Sequence, residues 1–341
     1  MFFASDNAGP AHPQVMEALL AANTGHARPY GNDDLSRQAV EAIHALFEAP
    51  QASVHLVATG TAANALSLAA LTPPWGTAFC ADLAHVEEDE CNAPEFFSGG
   101  AKLSPVATEN AKITPEALKA ALARRPKGDV HVPQPSALTL TQATERGTLY
   151  TLAELAALTA LARENGLATH LDGARFANAC AALGCTPAEM TWKAGIDAVS
   201  FGGTKNGLLG VEAVIFFDLA HDWELALRRK RAAHLFSKHR FLAAQMLAYL
   251  QGGLWLEMAQ QANEKAARLA KGLRACPQVT LTHSPEVNMI FARFPAALHT
   301  RLQAAGAVYS ASETAEGEIT ARFVTDWSLP EAEIDRFLAL L

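Results

Sequence analysis

No apolar run in the chain approaches the ~18 residues needed to cross a bilayer, so no membrane span is expected. A basic surplus is missing too. The 27 Lys and Arg residues are outnumbered by 35 Asp and Glu, and a net charge of −8 argues against a nucleic-acid-binding face. The one strongly basic segment, RRKRAAHLFSKHR at 228–240, is either a solvated helix face or a surface turned toward a phosphate or another subunit. Cysteine is scarce and odd in number, five in 341 residues, which excludes a disulfide framework. Cys180 and Cys185 lie close in sequence, but no second pair completes a zinc site. Buried free thiols and no metal are therefore expected. The segment MFFASDNAGP lacks a basic start and a long apolar core, so no signal peptide is expected and a reducing cytoplasm fits. Charge is sparse overall, at 18% of residues against 50% hydrophobic, which describes a core-rich globular protein and excludes a largely disordered one.

What is present is an alternation. Strand-like SVHLVA (53–58), TAFCA (77–81), SALTLTQ (136–142) and ATHLD (168–172) are each followed by a helical stretch. The pattern implies an α/β fold with a mostly parallel sheet covered on both faces. The HVEEDECNAPEFF stretch (85–97) reads as helical. After residue 218 three helical stretches run to about residue 275, followed by strand-like NMIFARF (288–294) and EITARFVT (318–325). The expectation is a large domain over 1–245 and a smaller α+β C-terminal domain over 246–341, divided at a break in the helices near residue 245.

Three segments could carry chemistry. ATGTAAN (58–64) sits where a strand gives way to a helix, and free N–H groups with the helix dipole favour an anion beside Gly60 and Thr61. It is neither a G-x-G-x-x-G fingerprint nor a nucleotide P-loop, and an ordinary strand-to-helix turn would read the same. HLDGAR (170–175) places Asp172 at a strand end, where open α/β sheets build their sites, although a helix cap is an equal use for it. Arg175 is expected one turn into the following helix. SFGGTKNG (200–207) puts Lys205 in a glycine-rich turn between DAVSF and EAVIFF. Together these meet the needs of pyridoxal phosphate: an anion cradle, a carboxylate for the ring nitrogen and a lysine for a Schiff base.

With FASDNAGP, RPYGNDD (28–34), GTAAN, AHVEEDECNAPEFF, TQATERGTLY (141–150), HLDGARFANA, SFGGTKNG and ARFVTDW (321–327) in view, nearly the whole chain resembles the threonine aldolase family. The wording of TQATERG and FGGTKNG is similar to its low-specificity, β-eliminating lyase branch. It differs from the branch that carries a histidine where this chain has Ala143-Thr144-Glu145. The resemblance implies a fold-type I pyridoxal phosphate enzyme, with Lys205 as covalent anchor and Asp172 holding the pyridinium. It implies His85 stacked on the ring and available to relay the substrate's β-hydroxyl proton, and Gly60 and Thr61 on the phosphate. It implies Arg322 with Ser5 on the substrate carboxylate, and Arg175 beside that carboxylate or the cofactor's phenolic oxygen. Ser5 also reads as an ordinary turn residue.

The implied reaction splits a β-hydroxy-α-amino acid such as threonine, allo-threonine or phenylserine into glycine and an aldehyde. The implied assembly is a homodimer or homotetramer with shared active sites, to which Tyr30 in RPYGNDD could contribute by reaching a neighbouring site. β-Elimination, racemisation or decarboxylation on the same fold, and a non-catalytic cofactor-binding module, are the alternatives, because one fold hosts many chemistries.

Overall fold

The computed structural model describes every residue of the chain except Glu316. Seven strands form the large sheet: β1 Ser53–Val57, β2 Gly76–Ala81, β3 Lys102–Val106, β4 Gln134–Thr141, β5 Ala168–Gly173, β6 Ala198–Phe201 and β7 Glu212–Phe216. Their order is β1-β7-β6-β5-β4-β2-β3, parallel from β3 to β6, with β7 running antiparallel between β6 and β1. This is the mostly parallel α/β sheet that the alternating strands and helices imply. The central strands are buried on both faces, which explains their near-continuous apolar runs.

Because β7 alone is reversed, the C-terminal ends of β1, β2, β4, β5 and β6 and the first residue of β7 share one edge of the sheet. Val57 on β1 stands opposite Glu212 on β7. On one face of the sheet an aromatic knot locks β6 to its helices. Phe201 lies 5.4 Å from both Phe47 and Phe176, ring centre to ring centre, and is fully buried.

A second, antiparallel sheet has the order β10-β11-β9-β8, from β8 Thr280–Leu281, β9 Met289–Pro295, β10 Ser310–Glu313 and β11 Glu318–Val324. It has its own core of Phe294, Phe323 and Phe337 with Leu269 of the helix Leu254–Ala275. Phe3 joins that core, and its backbone bonds to Val308 and Val324 tie the start of the chain alongside β11.

Several local expectations are corrected. The 85–97 stretch is two short helices, His85–Glu88 and Ala93–Ser98, parted where Cys91 and Asn92 take positive φ of 50° and 59°. The break expected near residue 245 falls inside a continuous helix, Arg240–Leu250, because its helical pattern is unbroken. The interruption comes at Gly252 and Gly253, both at positive φ, where glycine carries no steric penalty. Arg175 is the N-cap of the helix Phe176–Leu183 and not a residue of its first turn. Cys91 is exposed, whereas Cys80, Cys180 and Cys276 are buried thiols.

The aromatic knot yields a stability test. Phe201→Ala removes a fully buried ring and should cost about 3–5 kcal/mol. Urea unfolding should show this as a lower midpoint at an unchanged slope. An unaltered midpoint would show that the knot does not hold β6.

Candidate active site

Lys205 sits in a 3₁₀ turn, Thr204–Asn206, immediately beyond β6. The approach to it is so tight that side chains are excluded. A Cβ on Gly202 would lie 2.7 Å from the Gly173 carbonyl oxygen, and one on Gly203 would lie 2.4 Å from Leu208 Cδ1. The small residues that surround Lys205 in the sequence therefore let β6 press against the end of β5. They aim the lysine into a cavity of about 380 Å³ at the shared edge of the sheet. That volume lies within the ordinary range for small-molecule sites.

Burial strips the Lys205 ammonium of water and pulls its pKa down. Arg175 adds to the shift, while Asp6, Asp172 and Glu212 oppose it.

Across the cavity, Thr59 caps the helix Gly60–Leu71 by accepting the Ala62 N–H at 3.2 Å. The N–H groups of Gly60 and Thr61 precede the first intrahelical bond, so they stay free at the positive end of the helix. The Ala58 N–H just before them donates to His234 Nδ1 at 3.3 Å. His234 belongs to the basic run 228–240, which is therefore only in part a solvated face. Arg229 in the same run is half-buried and donates to the Leu56 carbonyl, and burial lowers its pKa to about 10.

Asp172 ends β5 in place, buried, with Oδ1 accepting the Ala174 N–H at 2.9 Å and Oδ2 accepting Asn64 Nδ2 at 2.8 Å. Asn64 also donates to Glu90 Oε1 at 2.9 Å, and Glu90 Oε1 meets His85 Nδ1 at 2.9 Å. A polar chain thus runs from Asp172 through Asn64 and Glu90 to His85. The hydrogen bond to Glu90 raises the His85 pKa against the opposing effect of burial. Burial raises that of Glu90. Glu145 accepts the His85 backbone N–H at 3.0 Å through Oε1, while its Oε2 is buried with no partner among the described residues.

Arg175 lines the cavity, but its guanidinium is engaged by Asp6, Nε to Oδ2 at 2.7 Å and Nη2 to Oδ1 at 2.9 Å. Asn288 Nδ2 also donates to Asp6 Oδ2 at 3.0 Å. Arg322 on β11 lies close enough for Arg175 and Asp6 to influence its charge, although it is not part of the cavity wall. Its Nη2 reaches the Ala4 carbonyl and Ser310 Oγ at 3.2 and 3.3 Å, and its Nε is buried without an acceptor among the described residues. Ser5 caps the short turn Asp6–Ala8 by accepting the Asn7 N–H at 3.1 Å and stays off the cavity wall. Tyr30 is exposed, at a φ of 60°, with the Lys230 ammonium 5.0 Å over its ring and outside this chain's cavity.

The cavity thus brings together Lys205, Asp172, His85, Gly60, Thr61 and Arg175. It adds Asn64, Glu90, Glu145, Asn7 and Glu212, which sequence reasoning passed over. Asn64 and Glu90 lay inside quoted motifs. Only the fold shows that a helix-interior amide and an acidic loop meet beside the end of β5.

Several findings identify the class. The chain superposes on threonine aldolase from Leishmania major with a TM-score of 0.94, at 27% identity over 99% of this chain and 98% of that one. A more distant match, a serine palmitoyltransferase solved with pyridoxal phosphate, gives 0.73 at 16% identity over 100% of this chain and 86% of that one. The fold is that of the fold-type I pyridoxal phosphate enzymes. The family model described as beta-eliminating lyase matches residues 3–297. A low specificity L-threonine aldolase of Pseudomonas aeruginosa is 44% identical over 98% of this chain and 94% of its own length. The chain belongs to the beta-eliminating lyase family, on its threonine aldolase branch.

The Glu90–His85 contact is open to titration. Because the bond raises the His85 pKa, its contribution to stability is complete below the ordinary histidine value and is lost as pH rises through the raised one. Glu90→Gln should move the His85 ring titration, followed by NMR, to lower pH. A titration that does not move would remove Glu90 as the cause.

Proposed function

We propose that the chain is a pyridoxal phosphate-dependent lyase that cleaves threonine and related β-hydroxy-α-amino acids to glycine and an aldehyde. One observation carries the reading. A partly desolvated lysine and a buried strand-end carboxylate line a single cavity that also holds the free N-terminus of a helix. The names of the relatives supply the reaction.

The residues fit that cofactor. Gly60 and Thr61 would hold its phosphate on free N–H groups. Asp172 would pair with the ring nitrogen in a charge-assisted hydrogen bond and keep it protonated. Lys205 would form the covalent link, and its lowered pKa leaves more of the amine in the nucleophilic form. Bound there, pyridoxal phosphate supplies a protonated ring that absorbs the electron pair released at the substrate's α-carbon.

The chain's own groups do the rest. Arg322 holds the α-carboxylate, which supplies the acceptor that its buried Nε lacks among the described residues. Arg175, already neutralised by Asp6, braces that side of the pocket rather than binding an anion alone. His85, fixed at Nδ1 by Glu90, takes the β-hydroxyl proton at Nε2, and Glu90 steadies the cation that results. Ser5 keeps a hydroxyl hydrogen to donate, since its oxygen serves the turn only as acceptor. Orientation of the bond to be broken, rather than any single contact, supplies much of the rate. Tyr30 would serve a neighbouring site in a homodimer or homotetramer.

Two experiments test this reading. Incubation with each threonine diastereomer and phenylserine should give glycine and an aldehyde in equal amounts. A keto acid with ammonia would mean β-elimination instead. Arg322→Lys keeps the charge and loses the planar fork. If about 1.5–3 kcal/mol rests on those bonds, kcat/KM should fall roughly 10- to 150-fold with cofactor binding intact. An unchanged kcat/KM would remove Arg322 from the carboxylate site.

A further inference from the structure

A fully buried histidine sits behind the cavity wall and takes no part in the scheme above. His170 precedes Asp172 by two residues on β5, so the two side chains share a face of the sheet. Thr139 on β4 stands beside His170, and Ser200 on β6 stands beside Asp172. The Thr139 hydroxyl lies 2.9 Å from His170 Nδ1, and the Ser200 hydroxyl lies 2.9 Å from Nε2. All three residues are buried, and the cavity wall includes Ser200 but neither Thr139 nor His170.

Counting hydrogens gives this file a direction. Burial keeps the imidazole neutral, with its pKa pulled down to about 4 against the opposing effect of Asp172. One ring nitrogen therefore donates and the other accepts. A neutral ring and two hydroxyls carry three polar hydrogens, and the two contacts use two of them. One hydrogen is left, at one end of the file or the other. At the Thr139 end it would be buried with no further acceptor among the described residues, and an unsatisfied buried donor is costly. At the Ser200 end it faces the cavity, where water or an occupant can accept it. The second arrangement is favoured. It puts the ring hydrogen on Nε2, has Thr139 donating to Nδ1, and leaves the Ser200 O–H free beside Asp172.

We propose that Thr139, His170 and Ser200 form a directed hydrogen-bond file that turns the Ser200 hydroxyl hydrogen toward the cofactor, with Ser200 a further cofactor-binding residue and His170 the residue that positions it. With the ring nitrogen protonated against Asp172, the acceptors left on pyridoxal phosphate are its oxygens, and Ser200 serves one of them. The inference rests on the reading of the cavity as a pyridoxal phosphate site.

Two measurements test it. Nitrogen-15 NMR of the cofactor-loaded protein should show His170 neutral at pH 7 with its hydrogen on Nε2. Pyridoxal phosphate titrated back onto cofactor-free protein should bind Ser200→Ala roughly 3- to 10-fold more weakly than wild type, the worth of one hydrogen bond. KM for threonine should hold. His170→Phe should weaken cofactor binding too, and the double variant should fall no further than Ser200→Ala alone, because the histidine acts through the serine. A ring hydrogen on Nδ1, or a charged ring, would overturn the direction of the file. A folded Ser200→Ala with unchanged cofactor affinity would overturn the role of the serine, and a raised KM beside that unchanged affinity would assign its hydroxyl to the substrate instead. Losses that add in the double variant would overturn the coupling of His170 to Ser200. Should the variants not fold, the tautomer in wild type decides alone. A wild-type chain that binds no pyridoxal phosphate would overturn the reading of the site itself, a failure visible before any variant is compared.

Discussion

An amine has to be kept partly dry yet solvable as a charge, and the site is organised around that constraint. Lys205 lies where desolvation lowers its proton affinity, and three carboxylates, on Asp6, Asp172 and Glu212, offset the loss. Too little compensation would leave the buried turn unstable, since an isolated interior charge is expensive. Too much would hold the ammonium protonated and unreactive. Each of the three acids comes from a different part of the chain: the N-terminal turn, the end of β5 and the start of β7.

That dispersal is what the fold supplies. Reversing β7 brings Glu212 to the same edge as the ends of the parallel strands, opposite Val57 and in the same cavity lining as Thr59. Pairing of Phe3 with Val308 and Val324 brings Asp6 under Arg175 and places Arg322 against Ala4. The contacts between the start of the chain and the second sheet thus help shape the cavity wall and the substrate's expected anchoring point. Perturbing the core of Phe3, Phe323 and Phe337 should therefore be felt at the site.

Much of this was legible in the sequence because it is local. Strand-then-helix alternation gave the sheet, and Asp172, Lys205, Gly60 and Thr61 each sit at a strand end that composition marks. Residues whose meaning depends on tertiary contact were not legible. Asn64 looks like a helix-interior residue until Asp172 and Glu90 are seen on either side of it. Glu212 reads as the polar start of an apolar strand until its carboxyl is found buried beside the lysine turn. β3 and β10 were missed because lysine, serine and proline interrupt the one and the other is fully exposed, so neither shows a clean alternation. Arg322 stood out by period-2 contrast with Ala321 and Phe323, which do point into the second core. Its neighbour Ala4 came from the far end of the chain and left no local trace.

The central claim is that Lys205 is the amine around which the cavity is built. Borohydride reduction of the cofactor-loaded protein, followed by proteolysis and mass mapping, tests it directly. The reduced cofactor should appear on the peptide containing Lys205 and on no other, and Lys205→Ala should carry none. Label on a different lysine, or equal labelling of the Ala variant, would contradict it.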